Sequence, residues 1–279
     1  MIERSFPLRP SDYLSHSDLL EALLAIERRY DRISLDVKKR TAVFDLDNTL
    51  LTGDIGNAVL AYLMIEGFPL QLKWSKYEQL EAVNPAAAYA EAAKALAGLS
   101  VDFIVRTTQS LLQCGSGSLF CEGTEIPIPK PNPVMREFVK ILRGLDYTVY
   151  VVSASNDLSA RVAGSLLFGL PTRNIAGIRS HTVNGRLTRR LLYPLPVGAG
   201  KVAQYRAMAG DIHPTVVASD SHLDIPMLQM CDPYGIAILV GDNEQLISSA
   251  SVELPLTVTI RRVPGTPQPL QFEKQQLVA

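Results

Sequence analysis

Cysteine is scarce: the 279 residues contain three, Cys114, Cys121 and Cys231. An odd count without C-x2-C spacing gives no zinc site, and reduced structural thiols are the expectation, although Cys114 and Cys121 flank a Gly-Ser-Gly-Ser loop and would be able to oxidise if exposed. Histidine is nearly as rare, and His16, His181 and His213 have no ligand spacing. An excess of charge of either sign is missing too. Lys plus Arg is 27 against 28 for Asp plus Glu, a net of -1, so no global field draws the chain to nucleic acid or to an anionic membrane. The longest apolar runs, such as 58–65 and 236–240, fall far short of the ~20 residues that span a bilayer, and MIERSFPLRP has no apolar signal core. These absences predict a cytoplasmic protein that recognises its partner locally, with neither nucleic acid nor membrane among its partners.

Hydrophobic residues make up 47% of the chain and charged ones 20%, ordinary for a folded protein with a sizeable core. Residues 17–29 have helical spacing at Leu20, Leu23, Leu24 and Glu27, with Ser17 as N-cap. This N-terminal extension, 1–40, is expected to pack on the body or on another subunit, which leaves a homodimer open. Helical signals then dominate from 55 to about 113: 55–66, 70–82, a segment opened by Asn84-Pro85 and stopped by Gly98, and one starting at Ser100. The Gly, Ser and Pro of 115–133 read as a linker returning from an inserted helical cap, 55–133.

Beyond it strand and helix alternate: helix 133–142, strand 147–152, helix 156–168, strand 175–178, helix 201–208, strand 215–218, helix 222–230 and strand 236–240. Such alternation predicts an α/β core with a parallel sheet, built from 41–54 and 134–279. A hairpin around Asn184-Gly185 projects from it, and its arginines, Arg179, Arg186, Arg189 and Arg190, read as a solvated ribbon. The last two dozen residues read as a surface strand and a mobile tail.

The chemistry concentrates at strand ends. Residues 42–51, AVFDLDNTLL, read as a buried strand that stops on Asp45 and Asp47, where open α/β sheets place their ligands. Two acids so close suit a hard cation, one of them attacking an electrophile while the other moves a proton. A solvated turn or a helix cap is the plain alternative. Three later strand ends are also polar: Ser153-Ala154-Ser155-Asn156-Asp157, where a hydroxyl and backbone amides would hold an anion; Gly198-Ala199-Gly200-Lys201, a lysine at a helix start that needs an anionic partner; and Asp220-Ser221-His222-Leu223-Asp224, with two acids where capping needs one. His222 itself reads as a surface or packing residue.

In these four ordered motifs, over 42 to about 245, the chain resembles the haloacid dehalogenase superfamily, and within it the phosphoserine-phosphatase-like enzymes with a helical cap after the first motif. The resemblance implies a doubly wound, Rossmann-like α/β core and a Mg2+-dependent phosphatase acting on a small phosphate ester, with possible amino-acid or amino-alcohol character. It implies that Asp45 is the nucleophile forming an aspartyl-phosphate, Asp47 the acid and base, and Thr49 a support for their loop. Ser153, Ala154 and Lys201 would hold the phosphoryl group. Mg2+ would bind the Asp45 carboxylate, the Asp47 carbonyl and Asp220, with Asp224 supporting. Attack on a phosphomonoester dianion by a carboxylate requires cations beside the phosphoryl oxygens, which Mg2+ and Lys201 would provide.

The chain also departs from that pattern. Motif four lacks the usual glycines and asparagine, and motif two continues Ala154-Ser155-Asn156 in place of paired glycines. Asp54 stands where phosphoserine phosphatases have a glutamate that meets the substrate amine, and it equally suits a helix cap. Among Tyr62, Phe68, Trp74, Tyr77 and Tyr89, one or two are expected to face the site. A phosphotransferase or mutase using Asp45, or a binding protein without turnover, are the other functions this pattern allows.

Overall fold

The structure, a computed structural model, describes residues 40–246 except Ser116 and Asp242, the segments 256–262 and 270–276, and Leu24. The expected helix at 17–29 therefore lies outside the described residues, Leu24 excepted.

Strand β1 (Thr41–Phe44) is wholly buried, and its side chains part to opposite faces as a period of two requires. Ala42 and Phe44 join one apolar cluster, Val43 the other. Strands β10 (Val216–Ser219) and β11 (Ile236–Val240) divide the same way, Val216 and Ile238 going to the first cluster, Val217 and Leu239 to the second. A sheet buried on both faces explains why these strands read as continuous apolar runs. Besides these, β6 (Thr148–Asn156), β7 (Ile175–Ile178), β12 (Leu256–Arg262) and β13 (Leu270–Gln276) complete it. The order is β13-β12-β11-β10-β1-β6-β7, parallel throughout except for β12 with β13. The chain runs outward from β1 through β6 to β7, then returns to β10 on β1's other side. Strand order thus reverses at β1, and a crevice opens at its carboxyl end. The expected tail is corrected here, since 270–276 is an antiparallel edge strand of the main sheet.

Between β1 and β6 the chain leaves through β2 (Leu51–Thr52) and returns through β5 (Lys130–Pro131), which pair antiparallel. The excursion holds helices α1 (Ile55–Ile65), α2 (Trp74–Val83), α3 (Pro85–Ala95) and α4 (Val101–Gln113). Asn84 caps α3 with Pro85 in its first turn, and Ser100 caps α4, as their sequences require. Helix α2 starts later than its spacing suggests. Its first amides, Trp74 N and Ser75 N, are capped from outside by the Glu122 carboxylate.

Residues 115–133 are more than a linker, which corrects that expectation. Strands β3 (Ser118–Cys121) and β4 (Thr124–Pro127) form a hairpin whose turn, Glu122-Gly123, has positive φ at both residues, the geometry that matches strand twist. Cys121 and Ile126 pack with Leu60, Ala61, Trp74 and Tyr77, so tertiary burial made strands of a proline-rich stretch. Helix α5 (Pro133–Gly144) then leads into the sheet, and α6 (Asp157–Phe168) follows β6.

The hairpin of β8 (Ser180–Val183) and β9 (Arg186–Leu191) turns at Asn184-Gly185 as expected. After α7 (Ala199–Ala209) and β10, the helix expected over 222–230 is instead a 3-10 turn, His222–Asp224, followed by α8 (Ile225–Leu228). Pro226 has no amide hydrogen for a continuous ladder. The three cysteines are free, Cys121 and Cys231 buried and Cys114 exposed. No helix among the described residues is long and apolar enough to cross a membrane.

Candidate active site

Strand β1 ends at Phe44, and the next amide, Asp45 N, still bonds to Ala218 O of β10 at 2.9 Å. That bond anchors the start of a tight turn, 46–50, in which Asn48 takes a positive φ of 54°, a conformation asparagine adopts more readily than most residues. Asp45 and Asp47 consequently face the crevice beside β1, and Thr49 beneath them is fully buried.

Asp45 Oδ1 accepts from Leu46 N at 2.7 Å and meets Lys201 Nζ at 2.7 Å. Lys201 is buried, and its Nζ also lies 2.6 Å from Asp224 Oδ2, which accepts a second bond, 2.6 Å, from Ser219 Oγ. Backbone shape brings the lysine in. Gly198 opens α7 with φ 56°, and a Cβ on Gly200 would lie 1.7 Å from Leu195 O, so only glycine admits that close approach. Burial works against the charge on Lys201, but Asp224 and Asp45 more than offset it and hold the ammonium above the ordinary lysine value.

Asp47 is held from the other side. Its Oδ2 accepts from Ser153 Oγ at 2.9 Å and Ser155 Oγ at 2.7 Å, and its Oδ1 from Ile55 N at 2.8 Å. Serines two apart on one strand share a face, which is how both hydroxyls reach one oxygen. Ser155 Oγ also accepts from Gly56 N at 3.1 Å, tying the first turn of α1 to β6. Burial raises the Asp47 carboxyl, and the bonds from Ile55, Ser155 and Ser153 oppose that.

Thr49 Oγ1 donates to Asp220 Oδ1 at 3.2 Å, joining the first turn to the fourth motif. Burial pushes Asp220 up to about 6, with Lys201 opposing and Asp224 adding. Asp45 is raised well above the usual carboxyl range, first by burial; Lys201 lowers it, while Asp224, Asp220 and Asp47 raise it. Several carboxylates around one ammonium leave uncompensated negative charge, which a hard cation relieves. Among the described residues no three His, Cys, Asp or Glu side chains converge as a ready cage. Asp45 and Asp220 line one cavity with Asp47, and could offer carboxylates to a cation that takes one or two of them and keeps waters, the habit of Mg2+.

A cavity of about 120 Å³ brings these residues together: Asp45, Asp47, Asp54, Ala154, Lys201, Asp220 and Asp224 all line it. Ser153 does not. It is fully buried behind Asp47, and the neighbouring hydroxyl on the wall belongs to Ser155. Asp54 caps α1, its Oδ1 accepting from Asn57 N at 2.7 Å, while lining the cavity as well. Its carboxyl is raised well above the ordinary range by burial first and then by Asp47 and Glu81. Of the aromatics in this region, Tyr77 and Tyr89 reach the wall. His222 is exposed.

The family model of the haloacid dehalogenase-like hydrolases matches residues 42–229, the span that carries every motif of this site. The chain belongs to that family. No curated protein sequence matches this HAD-like hydrolase. Among solved structures it is similar to a conserved protein of unknown function from Anaerococcus prevotii DSM 20548, with TM-score 0.64 and 14% identity over 86% of this chain and 91% of that one. A protein of unknown function from Bordetella pertussis Tohama I gives TM-score 0.58 and 19% identity over 77% and 95%. A HAD family hydrolase from Salmonella enterica subsp. enterica serovar Typhi gives 0.51 and 14% over 76% and 70%. At such identities the likeness is one of fold.

The sequence motifs leave two parts of this hydrolase's site without an assigned role. Ser155 and Ser219 stand inside the motifs as departures from glycine, and a hydroxyl next to an acidic position was their available signal. Tyr77, Tyr89 and Asn57 come from helices whose inward faces depend on packing.

Proposed function

We propose that this hydrolase is a Mg2+-dependent phosphatase that cleaves a small phosphomonoester through an aspartyl-phosphate on Asp45. The observation that carries the reading is the opposed holding of two acids: Asp45 on an ammonium, Asp47 on two hydroxyls and an amide. In the first step an Asp45 oxygen attacks phosphorus, the bond to the leaving oxygen breaks, and Asp47 gives that oxygen its proton. In the second, Asp47 takes a proton from water as the water oxygen attacks phosphorus, and Asp45 leaves as a carboxylate with release of phosphate. Lys201 balances the charge of the transferring group, and Asp224 with Ser219 keeps Lys201 aimed. Mg2+, when held by Asp45, the Asp47 carbonyl and Asp220, supplies further charge neutralisation beside the phosphoryl oxygens.

Ser155 and the backbone at Ala154 border the space for that group, with Ser153 acting through Asp47. Asp54 is the candidate contact for a substrate amine. The test is phosphate release from a panel of phosphorylated metabolites with Mg2+, repeated after chelation and with Asp45→Asn. Release that survives both treatments rejects the mechanism.

A further inference from the structure

The wall of the catalytic cavity carries five carboxylates, Asp45, Asp47, Asp54, Asp220 and Asp224, and one cation, Lys201. Lys201 already bonds to two of the five. A groove that shares Asn48, Asp54 and Asn57 with the cavity continues acidic with Glu78, Glu81 and Glu125 against Lys130. Arg179 lines a different crevice, which shares Leu96 and Asn156 alone with the cavity. Among the described residues, then, the cavity offers a carboxylate on the substrate's alcohol half no cation beyond Lys201, which Asp45 and Asp224 already hold, and Asp54 lines the same wall. Like charges juxtaposed in such a site repel and exclude the wrong partner.

The rest of the wall is suited to the opposite charge. Tyr77 and Tyr89 line it together with Leu60, Ala92 and Ala93, and aromatic surfaces attract cations. Tyr77 OH lies 3.1 Å from Glu81 Oε1, and Tyr89 also bonds to Glu81, so a half-buried carboxylate stands behind both phenols. Capping α1 engages Oδ1 of Asp54, and a carboxylate has a second oxygen for a ligand. A volume of about 120 Å³ is well under the roughly 300–1,000 Å³ of sites for drug-sized ligands, so the alcohol is small.

Resting on the phosphatase reading, we infer that the substrate is the phosphomonoester of a small amino alcohol, its cationic nitrogen beside Asp54, Tyr77 and Tyr89, and that it carries no carboxylate. This separates amino alcohols from phosphorylated amino acids, which share the amine but add an anion that the cavity rejects.

The test compares kcat/KM of the full chain with Mg2+ for phosphoethanolamine, phosphocholine, glycerol phosphate, O-phosphoserine and phosphoglycolate, with an aryl phosphate as a reference. One of the two cationic esters should exceed each of the other three metabolites by about tenfold or more. In Asp54→Asn, which keeps a competent helix cap, the ratio of the preferred cationic ester to glycerol phosphate should fall about tenfold. Free ethanolamine or choline should inhibit the unsubstituted enzyme more strongly than ethylene glycol does, a comparison that needs no variant. Aryl phosphate turnover with phosphoserine or phosphoglycolate equal to or above the cationic esters overturns the inference and leaves the phosphatase standing. Absence of phosphate release from every ester, the aryl phosphate included, overturns both.

Discussion

Ser155 Oγ lies 2.7 Å from Asp47 Oδ2 and accepts from Gly56 N, so one hydroxyl joins the second acid of the site to the first turn of α1. Such donors favour the charged form of a carboxylate, and a hydrogen bond to a charged group is worth about 1.5–3 kcal/mol. Ser155→Ala should raise the Asp47 pKa and lower kcat about tenfold. The limb of the kcat/KM profile that reports loss of the Asp47 proton should move to higher pH. An unmoved limb would mean that Ser155 serves the fold alone.

Gly56 permits that link. A Cβ there would lie 2.6 Å from Ser155 Oγ and 3.2 Å from Asp54 Oδ1. Alanine gains roughly 0.5–1 kcal/mol over glycine within a helix, so Gly56→Ala should cost little stability while lowering turnover several-fold. The double variant with Ser155→Ala should lose less than the two single losses combined, because one contact is removed only once. Strict additivity in kinetics would contradict the coupling.

Asp224 holds Lys201 from below, with Ser219 on the same oxygen. Removing one member of a buried ion pair costs about 3–5 kcal/mol. Asp224→Asn should therefore lower Tm by roughly 6–20 °C, at about 2–4 °C per kcal/mol for a domain of this size. Ser219→Ala leaves the ion pair intact and should shift Tm by a few degrees at most while raising KM for phosphate esters as Lys201 loses its aim. Calorimetry and steady-state kinetics on both variants separate the two effects, and equal Tm losses would reject the division of roles.

The carboxylates of the site set a pH dependence. Asp220 is held at about 6, up from 3.8, and Asp45 is also raised, so the folded chain binds more protons than the unfolded one in this window. The resulting stabilisation is complete below about 3.8 and is lost as pH rises through about 6. A bound divalent cation takes over from those protons. Added Mg2+ should raise Tm more at pH 7.5 than at pH 5, as thermal scans at both values would register. An equal gain at both would place the ion elsewhere.

Strand ends, caps and turns were legible in the sequence because each is a local matter of a few residues. The apolar run ending on Asp45 and Asp47, the Asn84-Pro85 start, the Asn184-Gly185 turn and the lysine after two glycines all carry their geometry in short patterns, and the α/β alternation implies the sheet. The family's motifs added an order that put Asp45, Lys201, Asp220 and Asp224 in one place, and the cavity contains all four. Tertiary structure alone decided which hydroxyl meets which acid. Ser153 and Ser155 share a strand face, but only the approach of α1 to β6 fixed Ser155 against both Asp47 and Gly56. Packing likewise folded 118–127 into a hairpin against α1, extended the sheet with 270–276, and turned Tyr77 and Tyr89 of two separate helices to one wall. Those outcomes depend on surfaces brought together from distant parts of the chain, and local propensity holds no record of them.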